Sequence, residues 1–154
     1  MAYGTTENSP CSFTSGENDT FDQLVNTVGH VGPFTESKII NKDGDIVERG
    51  EIGEICTRGY LVFPGYLDDK EETDKVLGRD GWYKTGDLGL IREDGYLTIT
   101  GRSKDMIIRG GENIYPAEIE NVLLKNNNII DAQVVSVPHK RLGEEVAVYI
   151  RLTR

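Results

Sequence analysis

A chain of 154 residues, 37% hydrophobic and 28% charged, has room for one domain with a real core or for parts of two. Its net charge of −9 excludes non-specific nucleic-acid binding, which rests on Lys and Arg facing phosphates, but not a nucleotide held in a local site. Cys11, Cys56, His30 and His139 show no metal-ligand spacing and read as two unpaired thiols in a reducing compartment; no apolar run spans a membrane, Leu61-Val62-Phe63 being cut short by Pro64.

Residues 1–8, MAYGTTEN, read as a turn after a strand, with Gly4 free to take unusual dihedrals. Residues 9–34 are mostly loop, except that Phe21, Leu24, Val25 and Val28 fit a short helix whose apolar side chains belong to a core. Residues 35–66 read as β. Ser37 to Ile40 and Ile46-Val47 flank an Asp43-Gly44 hairpin signal, and Gly53 to Thr57 alternates like a half-buried strand. Short strands between glycine-rich turns suggest a small barrel or open sheet. Arg58-Gly59 and Pro64-Gly65-Tyr66, which close this block, read as structural.

Residues 68–77 read as a helix capped at Asp68, with Asp69, Glu71, Glu72 and Asp74 on a solvated face and Val76 and Leu77 inward. In GWYKTGDLG, Asp87 is expected in a turn crowded by Trp82 and Tyr83. Its carboxylate there either bonds its own backbone as an Asx-turn or accepts hydrogen bonds from a ribose diol. A hairpin through Asp94-Gly95 follows, and its spacing returns Arg102 to the end that carries Asp87. Residues 1–103 hold 10 Lys+Arg against 19 Asp+Glu, whereas 104–154 hold 7 of each, so a boundary is expected at Lys104.

The run GRSKDMIIRGGENIYPAEIE, 101–120, combines a charged corner, a short strand, the pair Gly110-Gly111 and a helix begun by Pro116, whose missing N–H costs nothing there. Spacing alone leaves two readings, a β-turn-α connection with a flexible loop or a moving, ligand-contacting element. Ile119, Val122 and Leu123 form a packing stripe. Residues 129–137 and 146–152 read as strands joined by a charged connection, Pro138 to Glu145.

Tyr3-Gly4-Thr5-Thr6-Glu7, Tyr83-Lys84-Thr85-Gly86-Asp87 and the 101–120 run, in that order, resemble three motifs of the adenylate-forming acyl- and aryl-CoA synthetases. The resemblance covers nearly the whole chain, and is most detailed to the medium-chain fatty acyl-CoA synthetases of the family-member-two type. It implies a mixed α/β fold: residues 1–103 as the β-rich C-terminal part of a large AMP-binding domain, and 104–154 as a hinge and truncated α+β lid. It also implies roles. Tyr3 would stack on adenine, with Gly4 and Thr5 in the same nucleotide-contacting turn. Thr6 would contact phosphate and Glu7 would hold Mg²⁺. Asp87 would take both ribose hydroxyls and Arg102 would reach ribose or phosphate. Lys104 would be the hinge, and Gly110 and Gly111 would line the approach of CoA.

The reaction so implied joins a fatty acid to CoA through acyl-AMP, with ATP and Mg²⁺. The chain holds no Ser/Thr/Gly-rich phosphate loop of the T-S-G-T-T-G-x-P-K kind and no lysine in a P-K-T-x-S-G-K setting. The expectation is therefore a fragment that keeps adenosine, ribose and Mg²⁺ contacts but does not run the cycle unaided. The alternatives are a non-catalytic nucleotide-binding or interaction module, such as a short isoform associating with a complete synthetase chain, or a product without function. The mitochondrial matrix or the cytoplasm is the expected compartment.

Overall fold

The computed structural model describes residues 1–153, which divide into two compact units, Met1–Ile99 and the remainder from Thr100. The first unit holds two sheets. Strands β1 (Ala2–Tyr3), β2 (Phe13–Thr14) and β3 (His30–Val31) form an antiparallel three-stranded sheet in that order. Strands β4 (Thr35–Ile40), β5 (Gly53–Gly59), β6 (Tyr83–Ile91) and β7 (Leu97–Arg102) form a second sheet, also in chain order, whose last strand runs from the first unit across the Ile99/Thr100 division. Phe13, Ile39, Ile55 and Leu97 are buried together as the core, with Tyr3, Val28 and Val31 packed against them. The second sheet is thus open and not a barrel, its strands lying side by side in the order β4-β5-β6-β7.

The Asp43-Gly44 turn forms as expected. The Asn41 side chain accepts from the N–H groups of Asp43 and Asp45, and Gly44 takes φ 91°. Ile46, however, makes only an isolated bridge to Ile40 and is exposed, so no second strand develops there.

Two expected helices are present with different details. Helix α1 (Phe21–Asn26) is capped by Thr20, whose hydroxyl accepts from the Gln23 N–H. Its apolar residues do not enter the core: Phe21 is 82% exposed and Val25 55%, so the apolar side of this short helix faces away from the sheets. Only Val28, beyond its end, packs inward. Helix α2 (Lys70–Val76) is capped by Asp69 and not by Asp68, which takes a left-handed φ of 55° as the chain enters the helix.

The second unit carries one antiparallel sheet in the order β10-β11-β8-β9, formed by β8 (Ile107–Arg109), β9 (Glu112–Ile114), β10 (Ile129–His139) and β11 (Gly143–Leu152). Helix α3 (Pro116–Leu123) begins at Pro116 as expected, and its Glu120 carboxylate accepts from the Val134 N–H at 2.8 Å. Ile107, Ala132 and Val134 are the buried side chains there. The expected stripe on α3 is incomplete, since Val122 is 65% exposed.

The connection expected over Pro138 to Glu145 is mostly strand. Pairing continues to His139 opposite Gly143, leaving a three-residue turn in which His139 Nδ1 accepts from Arg141 and Leu142 N–H. Pro138 is tolerated because β10 is an edge strand, where a missing N–H breaks no ladder.

Candidate functional site

The site in the first unit is built around the chain turning back after β1. Tyr3 pairs with Phe13 across the sheet, and its carbonyl accepts from the Ser12 N–H at 2.9 Å. Thr5 then caps a 3-10 turn of Thr6–Asn8, with the Asn8 side chain accepting from the Thr5 N–H at 2.6 Å. Asn8 is fully buried and its amide donates to Ser12 Oγ, so the turn is closed from inside. Gly4 serves this closure by its size and not through unusual dihedrals: a Cβ there would lie 1.8 Å from the Pro10 carbonyl oxygen.

Asp87 is delivered by the neighbouring sheet. Its segment is a strand and not the expected turn. It is an irregular strand, because Glu54 pairs with Leu88 while Cys56 pairs with Lys84, leaving Thr85, Gly86 and Asp87 bulged out of register. Gly86 takes the φ of 75° the bulge requires. The Thr85 hydroxyl donates to the Ile55 carbonyl at 2.9 Å and accepts from the Asp87 N–H at 3.1 Å. Asp87, 8% exposed, then accepts a hydrogen bond from the Tyr3 hydroxyl on Oδ2 at 2.8 Å.

Two further tyrosines complete the arrangement. Tyr83 is buried, and its hydroxyl oxygen accepts from the Thr5 hydroxyl at 3.2 Å; burial pushes its phenol up to about 12. Tyr66 donates to Glu7 Oε1 at 2.8 Å, and the Phe63 N–H donates to the Glu7 carbonyl at 2.8 Å. Partial burial of Glu7 works against its charge. Its own backbone N–H and the hydroxyls of Tyr66, Thr5 and Tyr83 outweigh that and hold the carboxyl below the usual range.

Tyr3, Thr5, Glu7 and Asp87 are therefore gathered by hydrogen bonds running between the 1–8 segment, β6 and the 63–66 segment. Thr6 stands exposed on the same turn. In the sequence Tyr66 reads as structural. Nothing in local spacing reveals a contact 59 residues long, although its hydroxyl is one of the groups that fix Glu7.

Of the remaining candidates, Arg102 ends β7, exposed, and Lys104 is exposed in a 3-10 turn of Ser103–Asp105. Gly110 and Gly111 are the two-residue turn of the β8–β9 hairpin, with φ of 60° and 94° and Arg109 paired to Glu112. Two positive φ values in a row are what a tight hairpin of this twist needs, so both glycines have a conformational duty of their own. Among the described residues no cluster of three Asp, Glu, His or Cys forms a metal-holding group, and no helix is long and apolar enough to cross a membrane.

Residues 1–67 match the family model described as AMP-binding enzyme. Over 99% of its length the chain is 48% identical to the medium-chain acyl-CoA ligase ACSF2, mitochondrial, of Bos taurus, and 51% identical to the putative acyl-CoA synthetase YngI of Bacillus subtilis. It spans about a quarter of these relatives, 25% and 28% of their lengths. Among solved structures, an ATP-bound RpMatB-BxBclM chimera matches 99% of the chain at a TM-score of 0.93 and 35% identity. The chain covers 30% of that protein. The o-succinylbenzoate CoA synthetase MenE of Bacillus subtilis, in complex with AMP, matches 100% of the chain at 0.88 and 33%, with 31% of that chain covered.

Proposed function

Because this chain belongs to the AMP-binding enzymes, we propose that it is the nucleotide-binding and hinge stretch of a fatty acyl-CoA ligase. Such an enzyme activates a carboxylate as acyl-AMP with ATP and passes the acyl group to CoA. One observation carries the reading: the hydrogen bond from Tyr3 to Asp87, which brings two of the three motifs to one place across 84 residues. The relatives named as medium-chain ligases support fatty acids as the carboxylates, and those named mitochondrial favour that compartment.

In this reading residues 1–103 close the large AMP-binding domain, and 104–154 are a hinge with part of a lid. Tyr3, Gly4 and Thr5 face the nucleotide, Asp87 accepts from the ribose diol, and Arg102 serves ribose or phosphate. Thr6 contacts phosphate, and Gly110 and Gly111 approach CoA. Glu7 suits Mg²⁺, an ion that keeps several waters and takes one or two carboxylates beside substrate phosphates; the ion would supply charge neutralisation at those phosphates.

The test is a transplant. Put in place of the corresponding quarter of the Bos taurus relative, the chain should support acyl-CoA synthesis, whereas alone, lacking the phosphate loop and the adenylation lysine, it should give none with ATP, CoA and medium-chain acids. A folded chimera at background, or turnover by the chain alone above a heat-killed control, would sink the reading.

The same chimera tests Lys104. Proline there fixes φ near −65°, which the 3-10 turn accepts, but it pushes Ser103 out of the helical region and removes the freedom a hinge uses. Lys104→Pro should keep acyl-AMP formation and slow thioester formation by roughly tenfold or more, with Lys104→Ala close to normal. Pyrophosphate release and CoA thioester are measured separately. Equal loss in both would point to a folding defect instead.

A further inference from the structure

The contact between Tyr3 and Asp87 does more than mark where two motifs meet. Asp87 is held from two directions by different groups. Its backbone is pinned through Thr85, which joins the Asp87 N–H to the Ile55 carbonyl, and its carboxylate Oδ2 is held by the Tyr3 hydroxyl at 2.8 Å. Tyr3 is itself placed by its pairing with Phe13, whose ring centroid lies 6.1 Å from its own. Burial drives the Tyr3 phenol far above its ordinary value. A Thr85 contact opposes this and the Asp87 charge adds to it, so the hydroxyl keeps its proton across the physiological range.

We propose that the Tyr3 hydroxyl is a positioning group, which sets the rotation of the Asp87 carboxylate and thereby makes the site prefer ribonucleotides to 2′-deoxynucleotides. The proposal rests on the reading of Asp87 as the ribose acceptor. A carboxylate offers about four lone-pair directions, and its terminal torsion is broad, so an unrestrained one must be ordered to meet two hydroxyls at once. The Tyr3 bond takes one of these directions and so narrows the rotation of the carboxylate before any ligand arrives. That pre-ordering benefits a cis-diol, which donates twice in a fixed geometry. A sugar lacking the 2′-hydroxyl gains little from it. Base and phosphate, bound elsewhere, are indifferent to it.

The experiment is titration calorimetry of the protein with AMP and with 2′-deoxy-AMP, repeated for Y3F and D87N. Phenylalanine keeps the ring, the strand and any stacking, and removes only the hydroxyl. The expected result has three parts. The unaltered protein prefers AMP, D87N abolishes the preference, and Y3F reduces it by about threefold or more by weakening AMP more than 2′-deoxy-AMP, with a modest fall in melting temperature because the buried Asp87 carboxylate loses a donor. If D87N abolishes the preference and Y3F leaves it intact, the role of Tyr3 is overturned while the ribose assignment stands. If D87N keeps the preference, the ribose assignment falls and the proposal with it. Equal weakening of both nucleotides in Y3F would make the hydroxyl merely structural and also overturn the proposal.

Discussion

Phe13→Ala should destabilise the first unit by about 3–5 kcal/mol, the usual cost of emptying a buried aromatic site. Phe13 is 1% exposed and lies on the central strand of the three-stranded sheet, against Ile39, Ile55 and Leu97 of the other sheet. Its removal leaves a cavity where the two sheets meet. A loss of this size is a large part of the stability of an ordinary domain, so the variant should unfold at markedly lower denaturant. Chemical denaturation with the slope held fixed reads the change. A shift below about 1 kcal/mol would mean that the surrounding side chains collapse into the space, against the rigid packing expected of a core. The effect should reach the site, because the Tyr3 ring rests on Phe13.

Asp87→Ala should weaken AMP binding by roughly tenfold or more, since each hydrogen bond to a charged acceptor is worth about 1.5–3 kcal/mol and a diol makes two. The alanine also strips the half-buried Tyr3 hydroxyl of its acceptor, so a modest loss of stability should accompany the loss of affinity. Calorimetric titration and thermal melting separate the two effects. Affinity unchanged beside a lowered melting temperature would return Asp87 to a purely structural role.

Much of this site could be read from residue order, because its motifs are short, contiguous and chemically specific. Asp43-Gly44 and Asp94-Gly95 announced their turns, each glycine taking positive φ, and Pro116 announced the start of α3. What escaped had no periodic signal to offer. Strands β1, β2 and β3 have two residues each, too few for alternation to show, yet they carry Tyr3 and Phe13. The bulge at Asp87 looked like a turn since Thr-Gly-Asp has turn composition. Only the partner strand, supplying Glu54 and Cys56 on either side, makes it part of a sheet. The apolar residues of α1 matched a helical stripe but face outward, because six residues cannot decide by themselves which side is covered. The contact of Tyr66 with Glu7 depends on tertiary placement alone.

Trp82, the sole tryptophan of the chain, stands immediately before β6 with Lys38 Nζ 4.4 Å from its ring centre and the Arg58 guanidinium 4.7 Å away. Arg58 is tied in turn to Glu36 through two hydrogen bonds. The indole is thus clasped by cations from β4 and β5 at the head of the strand that carries Asp87. Optically, this makes the molecule one-sided. Light emitted by tryptophan comes from Met1–Ile99 alone, while the second unit carries only Tyr115 and Tyr149 as chromophores of comparable kind. Indole emission followed through denaturation therefore reports on the unit that holds Asp87.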